Sequence, residues 1–359
     1  MVEEKSYPIK YMSFGSPLMD CISDVSKEFI INNKIELNST IHRKLSEIKF
    51  LNEFLKNEIK YIPGGCQFNA MRVFNWMLEK DKTDIIGFLG SVGSQDPYGK
   101  VYQNLLLREN IVPIFETIEN ETTGLCMVIC YNRDRAHITD LGASISISND
   151  FVDRNWYKFK NVELIYTELF ILKTKKEICF KLAELGLRSE TFYGFNLPSE
   201  YFLVNYKNDI SKLCEYADII FANEQEALLF CEALNIYPNK NENKNELIKD
   251  LAFHLCKNIP KKNKNKKRIV VVTSGPNPAS CCQYDHKKQK EIFSGIFPVK
   301  DVPTENIIDT NGAGDAFAGG FLSQFVKGKS LVECMKAGHW AASIIIQKRG
   351  CDIPTDIKY

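Results

Sequence analysis

The sequence has no run approaching the roughly 18 to 20 consecutive apolar residues that a bilayer-spanning helix requires, so no helical membrane span is expected. It also lacks an excess of charge of either sign. With 46 basic and 45 acidic residues the formal net charge is +1, which gives no electrostatic reason to expect a nucleic-acid groove or a membrane-surface protein. The first ten residues, MVEEKSYPIK, contain acids and a proline but no apolar core, unlike a secretory signal. None of the twelve cysteines forms a CxxC pair, and the five histidines show no zinc spacing with them. Most of the cysteines sit in apolar runs such as MVICYN and LLFCEAL. Buried free thiols in a reducing, cytoplasmic setting are therefore expected.

What is present is a chain of 359 residues, long enough for one large α/β domain or for such a domain with a smaller one. Short apolar runs with the length and β-branched or aromatic content of buried strands occur at Asp84–Gly90, Val162–Thr167, Thr191–Leu197, Ala217–Asn223 and Arg268–Ser274. Amphipathic helical stretches lie between them, at Asn69–Leu78, Lys175–Leu187 and Glu224–Leu234. This alternation predicts a mainly parallel sheet covered on both faces, with ligands bound beyond the carboxyl ends of the strands. Two regions break the pattern. Leu125–Tyr131 and Ala136–Leu141, joined by the polar Asn132–Arg135, suit a hairpin, and Pro17–Leu37 suits further extended chain. The expected division is a large domain from residues 1–16, 41–111 and 147–359, and a small β lid from 17–40 and 112–146. The lysine- and asparagine-rich stretches Asn235–Lys249 and Lys257–Lys267 are expected to be solvated surface loops.

The sharpest feature is Asp309–Phe321, DTNGAGDAFAGGF. Gly312, Ala313 and Gly314 crowd backbone N–H groups where a helix begins, and such a turn offers unpaired donors and the positive end of the helix dipole. Those donors suit the charge on a phosphoryl group in transfer. Asp315, at the same turn, could accept the proton of an attacking hydroxyl. By themselves the glycines could equally permit a tight turn, with the aspartate as a cap.

The full string resembles the C-terminal signature of the ribokinase-like (PfkB) carbohydrate kinases, and within them the branch that phosphorylates adenosine. Further motifs follow in the same order: Gly15-Ser16-Pro17-Leu18-Met19-Asp20, Gly64-Gly65-Cys66-Gln67-Phe68-Asn69, Asn223-Glu224-Gln225-Glu226, and Gly338-His339-Trp340-Ala341-Ala342. The resemblance implies a three-layer ribokinase-like fold and transfer of the ATP γ-phosphate to adenosine. Asp315 would be the base, and the Gly312–Gly314 backbone would form the anion hole. Asp20, Gly64, Gly65 and Asn69 would hold the ribose, and Arg135 would close over the phosphate, with Arg133 its neighbouring alternative. Phe170, Cys126, Asn196 and Leu197 would form the base pocket, and Asn223 and Glu226 would organise Mg²⁺. Thr273, Gly275, Gly338, His339 and Ala342 would flank the nucleotide. A monomer is expected.

Several physical arguments stand beside the resemblance. A carboxylate such as Asp20 can take two hydrogen bonds from a vicinal diol, an arginine fork matches phosphate oxygens, and residues at the spacing of Asn223 and Glu226 share a helix face. Three positions depart from the family pattern. Ser16 stands in place of asparagine, Cys66 in place of serine, and Glu168-Leu169 in place of Ala-Gly. All three lie, by resemblance, in or near the acceptor pocket, so altered acceptor selectivity is expected with the transfer machinery intact. Another sugar or nucleoside kinase of the family, or a non-catalytic nucleotide sensor, are the alternatives.

Overall fold

The structure is a computed structural model and describes residues 9–37, 39–78, 85–132, 134–236, 243–354 and 356–359. Fourteen strands are present among these residues: β1 Tyr11–Phe14, β2 Leu18–Asp24, β3 Thr40–His42, β4 Lys60–Gly64, β5 Ile86–Gly93, β6 Ile111–Ile118, β7 Gly124–Tyr131, β8 Asp134–Asp140, β9 Leu164–Thr167, β10 Phe192–Asn196, β11 Ile219–Asn223, β12 Arg268–Ser274, β13 Asn277–Asp285 and β14 Lys290–Phe297. Nine form one sheet in the order β14-β13-β12-β11-β10-β9-β1-β5-β6, parallel from β12 to β6 and antiparallel at β13 and β14. All five strand runs expected from the sequence fall in its interior.

Residue alternation explains why the sheet carries helices on both faces. Ile220, Val270 and Val272 pack into one apolar core with Met12, Phe14 and Phe195. Their neighbours Ile219, Phe221, Ile269 and Val271 pack into another, with Phe68, Phe74, Phe317 and Phe321. A strand turns successive side chains to opposite faces, so these runs are apolar throughout and need two helical layers to bury them. The helices Cys66–Met77, Ala313–Phe325 and Leu331–Ile345 belong to the second layer. Gly319 allows the first two to touch: a Cβ there would lie 2.3 Å from the Ala70 carbonyl oxygen.

The other five strands form a small sheet, ordered β3-β8-β7-β2-β4. The expected hairpin is its centre, β7 pairing antiparallel with β8. The sheets depart from the expected division, and part of one stretch expected to be extended is helical. β4 joins the small sheet by pairing with β2, although residues 41–111 were assigned to the large domain. β6 pairs with β5 in the large sheet, although the sequence pattern starts the lid at residue 112. Within Pro17–Leu37, Lys27–Asn32 is a helix capped by the Ser26 side chain.

The lysine-rich stretches also depart from expectation. Lys244–Asn258 is a helix, and residues 237–242 lie outside the described residues. Within the KKNKNKK run, Lys261 and Lys266 are buried and both bind the buried Asp218, each with Nζ 2.6 Å from a carboxylate oxygen. The fully buried Arg268 donates to the carbonyls of Cys214 at 2.6 Å and Pro260 at 2.8 Å. Asp218 also accepts from the Tyr193 backbone N–H at 3.0 Å, tying this cluster to β10. Asp218→Ala would strand two buried ammonium groups, and a loss of about 3–5 kcal/mol in urea unfolding is expected. An unchanged midpoint would show that the lysines find water instead.

Candidate active site

The Gly-rich string forms the turn expected of it. Gly312 is the N-cap of the Ala313–Phe325 helix and takes a left-handed conformation, φ 75° and ψ 1°, which favours a residue without a Cβ. The Ala313 N–H donates to the Thr310 carbonyl at 3.3 Å, whereas helix geometry leaves the Gly314 and Asp315 N–H groups without an intrahelical acceptor. Space in front of Gly314 is open, since a Cβ there would meet nothing within 4 Å. Asp315 sits in this first turn and accepts from Asn69 Nδ2 at 3.1 Å, across a separation of 246 residues.

Arg135, on β8 of the small sheet, reaches the same turn. Its guanidinium pairs with Asp309 Oδ1, and Nη2 donates to Thr310 Oγ1 at 3.2 Å. Arg133 lies outside the described residues. Asp309 was given no role in the sequence, yet it organises the turn, accepting from the N–H groups of Asn311 at 2.8 Å and Gly350 at 2.9 Å. Its signal was its place at the head of the motif.

A cavity of about 230 Å³ opens beside Asp315 and is bordered by Ser16, Asp20, Gly65, Cys66, Asn69, Cys126 and Phe170. Asp20 comes from β2, and Gly64 of β4 lets it sit there, because a Cβ on Gly64 would fall 2.4 Å from Asp20 Oδ2. Gly65 has φ 104°, and a Cβ on it would strike the Ser16 carbonyl oxygen at 2.4 Å. Asn69 Oδ1 is buried with no hydrogen-bond partner, leaving it free to accept from a ligand. The cavity also contains His42 and Glu168. His42 of β3 faces Phe170, with ring centroids 6.3 Å apart. Glu168 lies where its departure from the family pattern implied, beside the acceptor pocket, whereas nothing local in the sequence marks His42 as part of this wall.

A second cavity, about 180 Å³, lies further along the carboxyl ends of the large-sheet strands. It brings together Asn223, Glu226, Thr273, Gly314 and Asp315, and also Phe170, Asn196 and Leu197. Phe170 borders both cavities, whereas Cys126 borders only the first, and Asn196 and Leu197 only the second. The four expected base-pocket residues are therefore split between two compartments. Asn196 Oδ1 is already taken by the Tyr166 hydroxyl.

Asn223 and Glu226 do not converge as two free oxygens. They form a reciprocal capping box on the helix Glu224–Ala233. Asn223 Oδ1 accepts from the Glu226 N–H at 2.8 Å, and Glu226 Oε2 accepts from the Asn223 N–H at 2.9 Å. Gly338, His339 and Ala342 border neither cavity. Gly338 and His339 pack against Phe317, and the buried His339 Nε2 has no hydrogen-bond partner. Gly275 takes φ +55° where β12 turns into β13, with open space in front of it.

Burial dominates the electrostatics. It raises the Asp20 carboxyl to about 8, helped by the charges of Asp315 and Asp309. It raises Glu226 to about 7, with Asp315 contributing, and Glu168 to about 7 against the opposing hydrogen bonds from Ser16. Asp315 rises to about 6, burial being opposed by hydrogen bonds from Asn69 and Cys66. The Asp315 charge pushes the Cys66 thiol well above its usual range. Cys66 is the one exposed cysteine among the twelve, so the expectation of buried thiols fails at the position that opens onto the site. Among the described residues no cluster of three or more acidic, histidine or cysteine side chains could hold a metal directly. No helix is long and apolar enough to cross a membrane among them.

Comparison with known proteins agrees with this geometry. The model of the pfkB family carbohydrate kinases matches residues 38–358. Adenosine kinase 2 of Arabidopsis thaliana is 29% identical over 357 residues, covering 99% of this chain and 98% of that protein. The crystal structure of Anopheles gambiae adenosine kinase in complex with P1,P4-di(adenosine-5) tetraphosphate superposes with a TM-score of 0.81 at 28% identity, over 95% of this chain and 96% of that one. Adenosine kinase from Schistosoma mansoni in complex with 2-fluoroadenosine shares the fold, with a TM-score of 0.83 at 24% identity over 98% of both chains. A Gly-rich helix start holding a half-buried aspartate, a mainly parallel sheet capped by a small β sheet, and a family match over nearly the whole length agree: the chain belongs to the pfkB family of carbohydrate kinases.

Proposed function

We propose that the protein transfers the γ-phosphoryl group of ATP to the 5′-hydroxyl of adenosine, giving AMP and ADP, a reaction that would serve purine salvage. The observation that carries this is the Asn69–Asp315 hydrogen bond. It joins a residue of the acceptor wall to the base at the mouth of the anion-binding helix, so acceptor and phosphoryl donor meet at one carboxylate. Similarity to adenosine kinases over almost the full length supports adenosine as the acceptor.

In this scheme Asp20 and Asn69 hold the ribose hydroxyls, and Asp315 takes the proton from the attacking oxygen. The Gly312–Gly314 backbone donors and the Arg135 guanidinium meet the phosphoryl oxygens as charge moves between them. The small sheet, from which Asp20 and Arg135 come, covers the acceptor cavity and excludes water. A magnesium ion suits the donor set as a water-carrying cation near Glu226, since only one oxygen of that half-buried carboxylate, Oε2, is committed to the capping box. When bound, the ion would neutralise phosphate charge.

The test is ADP release with Mg-ATP and, separately, adenosine, inosine, guanosine, ribose and fructose. Adenosine is expected to give the highest kcat/KM. Preference for another acceptor would keep the kinase and change its substrate, and silence with all five would overturn the proposal.

A further inference from the structure

Glu168 is a buried carboxyl that the reaction above leaves unused. It directly follows β9, two residues before Phe170, and is 4% exposed while bordering both cavities. An ionisable group away from water is costly unless it is paired or hydrogen-bonded. Among the described residues no cation offsets the burial of Glu168; Ser16 does so, its hydroxyl donating to Oε1. A serine that spends its one hydroxyl proton in this way has only lone pairs left to offer, as does an ionised carboxylate. Ser16 and Glu168 both border the acceptor cavity, so a patch of hydrogen-bond acceptors lies on its wall.

The sugar-binding candidates Asp20 and Asn69 border the acceptor cavity alone, whereas Glu168 shares both cavities with Phe170. The carboxyl thus lies, with the candidate base-stacking ring, on the stretch of wall that the two cavities share. A purine presents ring nitrogens, carbonyls or exocyclic amines to such a wall, and acceptors on the protein favour the amine.

Building on the adenosine assignment, we propose that Glu168, oriented by Ser16, is the specificity-determining residue for the acceptor base, accepting a hydrogen bond from its exocyclic amino group. An oxo group in the same place would set lone pairs against lone pairs. Sites built to hydrogen-bond a substrate group reject analogues that lack it, and a single bond to a charged acceptor corresponds to roughly 10- to 100-fold.

The experiment compares kcat/KM for adenosine, purine riboside (which lacks the amino group) and inosine (which carries an oxo group) in the wild type, Glu168→Ala and Glu168→Gln. The wild type is expected to favour adenosine over purine riboside by roughly 10- to 100-fold. Glu168→Ala should collapse that ratio by losing activity on adenosine alone. Glu168→Gln, nearly isosteric and able to donate, should move the inosine-to-adenosine ratio toward inosine by about 10-fold. An unchanged KM for ATP would show that both variants keep the fold, and the glutamine variant carries the test if the alanine variant does not fold. Equal losses on all three acceptors, or unaltered ratios, would overturn the assignment and leave Glu168 a packing residue. Absence of adenosine turnover in the wild type would instead remove the acceptor assignment itself, and this inference with it.

Discussion

Replacing Asp315 by alanine is expected to lower kcat by about 10²- to 10⁴-fold, the usual contribution of a positioned general base, while KM for both substrates stays within a few-fold. Asp315 is held by Asn69 at 3.1 Å at the start of a helix whose apolar face is packed independently of it, so the variant should fold. Asp315→Asn is the closer control, because it keeps the shape and can still accept from Asn69 but cannot take a proton. The pH profile supplies a second readout. A base works only when deprotonated, and burial sets Asp315 at about 6, so kcat/KM should fall as pH drops through that value and level off above it. Glu226 at about 7 and Asp20 at about 8 titrate on the alkaline side of that limb and broaden it. The asparagine variant should lose the component near 6, and the Asp20 and Glu226 components should move down because the Asp315 charge no longer raises them. Turnover within a factor of ten of wild type in both variants would end the claim that this carboxylate is the base.

Arg135→Ala should reduce kcat by about 10³-fold, the scale seen when a transferring phosphoryl group loses its arginine. Arg135 is tied to Asp309 and Thr310, and so lies at the rim of the turn that would carry the charge. Asp309 keeps its bonds from the Asn311 and Gly350 N–H groups in the variant, so the turn itself should survive. Arg135→Lys is expected to recover little, because an ammonium cannot reproduce the planar two-point fork. If lysine restores full activity, the guanidinium is only a latch between the small sheet and the turn. Adenosine binding, measured without ATP, should be near normal in both variants.

What could be read from the sequence follows physical lines. β5 and β9 to β12 are apolar on both faces, and such runs announce themselves without tertiary information. β4 does not: Lys60, Tyr61, Ile62 and Pro63 are exposed or half-buried, and the strand is defined by its pairing with β2. β6 was assigned to the lid because it stands next to the hairpin in sequence, whereas β5 is its neighbour in space. The lysines of the KKNKNKK run looked solvated by composition, yet Asp218, more than forty residues earlier, draws two of them inside. In the site, Asp315 could be found because the glycines before it advertise a turn. His42 could not, because its place depends on which elements fold against it, and Glu168 could be placed near the acceptor pocket only by resemblance. The spacing of Asn223 and Glu226 was correctly noticed, but the structure uses it first as a helix cap.

The docking of the Ala313–Phe325 helix against Cys66–Met77 has a consequence for biosynthesis. Asp20 and Asn69 leave the ribosome early, but Asp315, the partner of Asn69, is 246 residues away. At bacterial or eukaryotic elongation rates this gap lasts on the order of 10 to 50 s. Throughout that interval Phe68, Met71 and Phe74 lack the Phe317 and Phe321 side that completes their core. The nascent chain therefore carries a half-built helical layer for most of its synthesis, and Asp315, the proposed base, joins it only as the last helices close.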